Sequence, residues 1–375
     1  MKKIISVLMM LSMVVGFSAF QCSSTELTSA KLYLQQKNYD KAIEALEKEV
    51  AKNPKSDEGY YMLGFVLGEQ GNVKGMLENF KESSAISNKF EASIAESKKY
   101  HWAQGFNKGV ALFNRASKVG GTDSATVFFE KAIESFNSSI MCEPDSSDAY
   151  KNLAFAYMNM GNQEAAIEPY KKVVEITKSA EAYAQLGELL IQKGVKQTED
   201  GDKDAGMKTY EEAISVLEEG QKLHPSDGNI LLLLSNGYIA AGKLEVAKKA
   251  FKTGVEKEPD NKFYRYNYGS LLLNATEYAE AAEHLSKAVE LDGDYENAIY
   301  NLAVTYVKWG AGIREADPET ESFKEKYELA LPLLEKYLTI NEEEGVIWDL
   351  LGKVYANLGM GDKSKEAFEK ADLYK

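Results

Sequence analysis

Apolar residues recur every three or four positions along most of the chain, the spacing of amphipathic helices. Segment 89–117 shows it at length, in Phe90, Ile94, Ala95, Trp102, Phe106, Val110 and Phe113. No segment alternates apolar and polar residues between hairpin turns, so the pattern predicts helices and no sheet. The pattern also repeats. Ala213, Ala247 and Ala281 are evenly spaced, and the same interval separates Ala132 from Ala166 and Ala42 from Met76. The period is about 34 residues, a length that suits two short helices and their turns. Four residues after these stand Leu217, Phe251, Leu285, Phe136, Tyr170, Leu46 and Phe80. An upstream series sets a small residue beside a large one: Leu63-Gly64, Leu153-Ala154, Leu186-Gly187, Leu234-Ser235, Tyr268-Gly269, Leu302-Ala303 and Leu351-Gly352. Small residues facing one another let two helices cross closely. Pro54, Pro144, Pro225 and Pro259 stop four of the second helices. Pro169 and Pro332 fall inside second helices and predict kinks there.

These residues resemble the tetratricopeptide-repeat family. The match is fullest in Ser147 to Ala180, with Tyr150, Leu153-Ala154, Tyr157, Ala166, Tyr170 and Val173. Residues 345–371 match with Trp348, Leu351-Gly352, Tyr355, Phe368 and Ala371. The resemblance covers residues 23–375 and implies an all-α fold, a right-handed superhelical solenoid of about nine helix-turn-helix repeats. They fall near 23–56, 57–88, 89–146, 147–179, 180–227, 228–261, 262–295, 296–344 and 345–375. Three repeats are longer than the rest. Met76 and Ala132, Leu186 and Leu234, and Leu302 and Leu351 are equivalent positions that lie well over one period apart. These lengths predict elongated hairpins in repeats 3, 5 and 8, with a long first helix in repeat 3. The extra residues of repeats 5 and 8 fall between the two helices of the pair.

Residues 1–21 read as a signal peptide rather than part of the solenoid. Lys2 and Lys3 precede the uncharged run Ile4 to Phe20, which is shorter than the roughly 20 residues that a spanning helix needs. Cys22, followed by Ser23 and Ser24, resembles the lipidated cysteine of bacterial lipoproteins. The alternative is cleavage near Ser18 or Ala19, releasing a soluble protein. Either way the chain is expected to be exported, to the periplasm or to a lipid anchor at the bacterial cell envelope. Membrane contact is expected only through that lipid.

The formal net charge of −14 argues against nucleic acid as a partner, since a phosphate-binding surface needs excess positive charge. Two cysteines and three scattered histidines leave no zinc pattern and no disulfide scaffold. No constellation of an activated nucleophile, base and orienting group occurs, so no enzyme activity and no cofactor are expected. His101 and Trp102 read as packing and surface residues of a long helix. One insertion carries part of a calcium-loop spacing, with Asp200, Asp202 and Asp204 at positions 1, 3 and 5 and Glu211 at position 12. Ala205 at the glycine position and Lys208 at the ninth disfavour it, and a solvated acidic hairpin tip is the expected reading.

The resemblance further implies a concave face lined by first helices. Carried onto this chain, the groove positions are Tyr61, Phe65, Lys151, Asn152, Phe155, Asn159, Asn236, Tyr266, Asn267, Asn274, Tyr300 and Asn301. Asn357 repeats Asn159 and Asn274. Asparagine amides both donate and accept, which suits the backbone of an extended peptide. Tyrosines add apolar area with a polar tip. Lys151 is the one lysine among these positions, too few for the carboxylate clamp of chaperone-binding members. The expected function is a non-catalytic scaffold holding a protein or extended peptide in this groove. The alternative is a lipid-tethered structural, assembly or secretion factor of the envelope acting through convex ridges. The ladder is expected to be exposed, so that replacing Asn267 and Asn301 by alanine leaves the melting temperature nearly unchanged.

Overall fold

The computed structural model describes residues 24–120 and 123–374. The expected leader and Cys22 lie outside them. The described residues form eighteen helices and no strand. They follow as pairs: α1 (Thr25–Gln35) and α2 (Tyr39–Lys52), α3 (Asp57–Glu69) and α4 (Val73–Ile86), α5 (Glu91–Lys118) and α6 (Asp123–Cys142). Next come α7 (Ser147–Asn159) and α8 (Gln163–Thr177), α9 (Ala180–Glu199) and α10 (Lys203–Leu223), α11 (Gly228–Ala240) and α12 (Leu244–Lys257). The last are α13 (Lys262–Asn274) and α14 (Tyr278–Leu291), α15 (Glu296–Ala316) and α16 (Phe323–Ile340), α17 (Gly345–Asn357) and α18 (Gly361–Leu373). The chain divides into two compact units, one ending at Pro169 and one beginning at Tyr170. Each is a stack of such pairs.

Local chemistry sets the helix ends. Ser56, Asn72, Ser179, Asp202 and Asp227 accept hydrogen bonds from backbone N–H groups of their own first turns, satisfying donors the helix cannot. Most tight turns within a pair hold one residue in the left-handed region, Gly71, Gly161, Gly201, Gly242 and Gly359 among them. Thr276, which takes the place of Gly242 in the following repeat, adopts the same conformation at φ 62°, where a β-branched residue is strained.

The close crossing within a pair differs in detail from small facing small. The glycine of the first helix is covered by the large residue of the second. A Cβ on Gly64 would come within 2.7 Å of Phe80, one on Gly187 within 2.5 Å of Leu217, and one on Gly269 within 2.7 Å of Leu285. The backbone of the second helix runs alongside: Met76 O lies 2.9 Å from the first of these points and Ala281 O 3.2 Å from the third. Phe80, Leu217 and Leu285 are buried, each contributing about 1.5–3 kcal/mol of apolar transfer.

The extra residues of the three long repeats enter the helices themselves. Helix α5 has 28 residues and α6 has 20, while α9 and α10 have 20 and 21. In the eighth pair α15 has 21 and α16 has 18. Pro169 and Pro332 lie within α8 and α16. Among the described residues no helix is long and apolar enough to cross a membrane.

The strained turn gives a prediction with a sign. Thr276→Gly removes the left-handed strain and should stabilise the protein by about 0.5–1 kcal/mol. Gly242→Thr, where a Cβ meets nothing within 4 Å, should cost a similar amount through the backbone alone. Urea midpoints measure both, and a Thr276→Gly protein no more stable than the wild type contradicts the assignment.

Candidate functional site

The first helices α9, α11, α13 and α15 of the second unit each touch the next directly, so their side chains form one continuous layer. Asn236 on α11 and Asn274 on α13 are exposed there, and Tyr300 and Asn301 on α15 are half-buried. Tyr266 and Asn267 on α13 are buried, Asn267 to 1% exposure. The expectation of an exposed ladder therefore fails at these two residues. The register carries a residue to a face but does not set how deeply neighbours cover it.

Asn301 ties two first helices together. Its Nδ2 donates to Ser270 Oγ at 2.8 Å and faces Tyr266 Oη at 3.4 Å. Ser270 Oγ in turn donates to Tyr266 O at 2.8 Å. Burial pushes the Tyr266 hydroxyl above its ordinary pKa, against the opposing hydrogen bonds from Ser270 and Asn301. The Tyr266 ring rests on Tyr295 at 5.0 Å, which meets Phe263 at 6.0 Å. Lys262 sits over both Phe263 and Tyr295 and pairs with Asp292 at 2.5 Å. Tyr300 packs beside Tyr337, 5.9 Å between ring centres. Asn301 is therefore as much a structural strut as a surface group, which corrects the expectation that its loss leaves stability unchanged. Ser270 is absent from the groove positions carried over by the resemblance, although it takes the place of Asn236 in the following repeat and stands one turn after Tyr266.

Several asparagines use one amide proton locally. Asn152, Asn159, Asn267, Asn274 and Asn357 each donate to the backbone carbonyl four residues earlier, at 2.7–3.0 Å. The exposed Asn159 and Asn274 keep the carboxamide oxygen, an acceptor for a backbone N–H, together with the second amide proton. Asn267 Oδ1 is buried without a partner.

In the first unit, Lys151, Asn152, Phe155 and Asn159 share α7, with Lys151 Nζ 5.9 Å from the Phe155 ring centre. Tyr61 stacks on Phe90 at 4.5 Å and on Phe80 at 5.9 Å, and Phe65 packs in the same apolar cluster. Both are half-buried packing residues. Burial raises the Tyr61 hydroxyl pKa.

The calcium-like spacing is put to other use. Asp200 closes α9, Asp202 caps α10 by accepting from Ala205 N, and Asp204 lies in the first turn of α10. Glu211 pairs with Lys243 at 2.8 Å, which holds its carboxyl below the ordinary pKa. Among the described residues no three His, Cys, Asp or Glu side chains converge as metal ligands.

Comparison with known proteins places this architecture. Two family models described as tetratricopeptide repeat match, one over residues 27–75 and 232–296, the other over 147–179 and 346–374. The chain is similar to the TPR repeat-containing protein YpiA of Bacillus subtilis, 22% identical over 363 residues, covering 94% of this chain and 72% of that protein. It is 23% identical over 235 residues to the peroxisomal targeting signal receptor of Candida albicans, covering 63% of this chain and 37% of the receptor. The chain thus spans little more than a third of the receptor's length. Yeast Tom70 aligns with 93% of this chain and 84% of its own, at 12% identity and a TM-score of 0.39.

The strut makes a testable distinction between neighbouring asparagines. Asn301→Ala leaves Ser270 and Tyr266 short of a partner and should cost about 1–3 kcal/mol. Asn274→Ala, exposed and bonded only to its own helix, should stay within about 0.5 kcal/mol of wild type. Equal urea midpoints for the two variants contradict the strut.

The four matched segments, 27–75, 147–179, 232–296 and 346–374, are thus tetratricopeptide repeats.

Proposed function

We propose that this protein is a non-catalytic scaffold that holds an extended peptide or a protein partner against the first helices of its repeats. The observation that carries this reading is the arrangement of asparagines on adjoining first helices. Asn236 and Asn274 are exposed in the layer formed by α11 and α13, and Tyr300 is half-buried on α15, which adjoins α13. Asn274 spends one amide proton on Ser270 O and leaves its carboxamide oxygen to accept. A row of acceptors with apolar rings beside it suits backbone N–H groups and small side chains of a bound strand. Packed helices lie about 10 Å apart, and an extended peptide advances about 3.3 Å per residue. Adjacent rungs therefore suit about every third residue of the ligand. A receptor stands among the relatives, which supports a binding role. The formal charge of −14 supports a protein rather than a nucleic acid as that partner.

The same reading extends to location. The two lysines, the uncharged run from Ile4 to Phe20 and Cys22 support export, with Cys22 as a lipid anchor at the envelope.

Two experiments follow. A partner recovered by pull-down and mass spectrometry should bind Asn236→Ala/Asn274→Ala at least several-fold more weakly, at about 0.5–1.5 kcal/mol per lost amide contact. The melting temperature should be unchanged, and the control Lys249→Ala/Lys252→Ala on α12 should bind as wild type does. Unchanged affinity in the asparagine variant moves binding to the ridges of the long pairs. For location, fractionation of cells carrying wild type and Cys22→Ala should find the wild type with membranes and the variant in the soluble exported fraction. Wild type in the cytosol ends the export proposal, and identical soluble fractions end the lipid proposal.

A further inference from the structure

The seventh pair departs from the repeat at two positions that meet. Leu231 and Ile299 are fully buried, and the residue one period from each is Arg265. One period after Ala250 stands His284, 8% exposed. The neighbouring repeats place uncharged, apolar side chains at these positions. Here a cation and a titratable ring stand in their stead, in contact with each other.

Arg265 reaches from α13 in two directions. Its Nε donates to Pro259 O, in the turn before α13, at 2.7 Å, and its Nη1 donates to His284 Nδ1, on α14, at 2.9 Å. A guanidinium has donors only, so this bond fixes the imidazole. Nδ1 keeps its lone pair, the ring proton sits on Nε2, and the ring is neutral. Tyr268 of α13 lies against it, 4.7 Å between ring centres, and donates to Glu280 Oε1 at 2.9 Å. The same Glu280 oxygen is 3.8 Å from His284 Nε2. Glu283 on α14 and Lys252 on α12 are the other charges that act on the ring.

We propose that Arg265 and His284 form an acid-sensitive latch, which at neutral pH ties the turn between α12 and α13 to α14 and opens when the ring takes up a proton. The proton can enter only at Nδ1, since Nε2 already carries one. There it sets two donors and two positive charges face to face, and Arg265 Nη1 has to leave. Burial opposes the charged ring most, followed by Arg265, with Lys252 on the same side. Glu283 and Glu280 favour it, and the balance lies below the ordinary histidine pKa. The unfolded chain therefore binds this proton first, near about pH 6.5. The stability that the latch brings is full above that pH and is lost as the pH falls below it. Release frees the Pro259 carbonyl and loosens the first turn of α13, the turn that leads into Tyr266. The latch does not depend on how the partner-binding reading fares.

The test uses the full chain and two variants. Ring NMR, with His284 identified among the three histidines by its contact with the Tyr268 ring, should show it titrating below about pH 6.5 in the wild type. Arg265→Gln removes the opposing charge and should move that titration up toward the ordinary value. In His284→Asn the carboxamide oxygen can stand in for Nδ1 as acceptor but cannot be protonated. Between about pH 7.5 and 5 the wild-type urea midpoint should fall more steeply than that of His284→Asn, by the uptake of up to about one proton on unfolding. Over the same range the amides of 260–266 should gain exchange, corrected for intrinsic rates, in the wild type and not in His284→Asn. A His284 titration at or above the ordinary value overturns the proposal. So does a titration that Arg265→Gln leaves unmoved, or wild-type and His284→Asn midpoints that run parallel with pH.

Discussion

Two helices approach at van der Waals distance only where one of them withholds its side chain. In this chain Gly64, Gly187 and Gly269 offer bare backbone, and Phe80, Leu217 and Leu285 lie across it. The large residue is thereby buried from two sides, and the second helix brings its own backbone alongside at Met76 and Ala281. The constraint recurs from repeat to repeat because each pair must present the same faces to its neighbours. Extra residues can be added only where this crossing is undisturbed, at the far ends of the helices, as in α5 with α6 and α9 with α10.

Polar chemistry is fitted around that crossing. Tyr238 donates to Glu218 at 2.5 Å and Tyr355 to Glu335 at 2.7 Å, each reaching back 20 residues to the preceding second helix. Burial, then the Glu335 hydrogen bond, pushes the Tyr355 hydroxyl up to about 12. Burial raises Tyr238 likewise, with Glu218 adding to it. The tyrosine ring fills the space between successive pairs while its hydroxyl ends on a carboxylate. Asn301 does the corresponding work between first helices through Ser270. Successive pairs are thus joined by apolar contact with a few directed bonds at the margins.

The periodic elements were plainly legible in the sequence. The helices, the long α5 and the small-residue series follow from spacing, because a helical face is a direct function of residue number. Depth was not legible. Asn267 and Asn301 share a register position, yet one is buried and the other half-buried. Tyr61 shares the series of Tyr266 and Tyr300 but is held in a stack by Phe80 and Phe90, contributed from outside its own helix. The partial calcium spacing, which Ala205 and Lys208 already disfavour, makes the same point. Asp202 serves α10 as a cap, and Glu211 stands on the helix beyond, facing Lys243. Spacing along a chain names candidates, and only packing decides which of them still have free atoms.

The central claim is that each pair is held by a large side chain lying on bare backbone. A double-mutant cycle on Gly269 and Leu285 tests it most directly. Gly269→Ala should cost about 1–3 kcal/mol through overpacking, and Leu285→Ala about 2–5 kcal/mol through the cavity it leaves. If the two groups truly meet, the truncated Leu285 makes room for the added methyl. The double variant should then be more stable than additivity allows by at least about 1 kcal/mol. Costs that add to within about 0.3–0.5 kcal/mol would contradict the account.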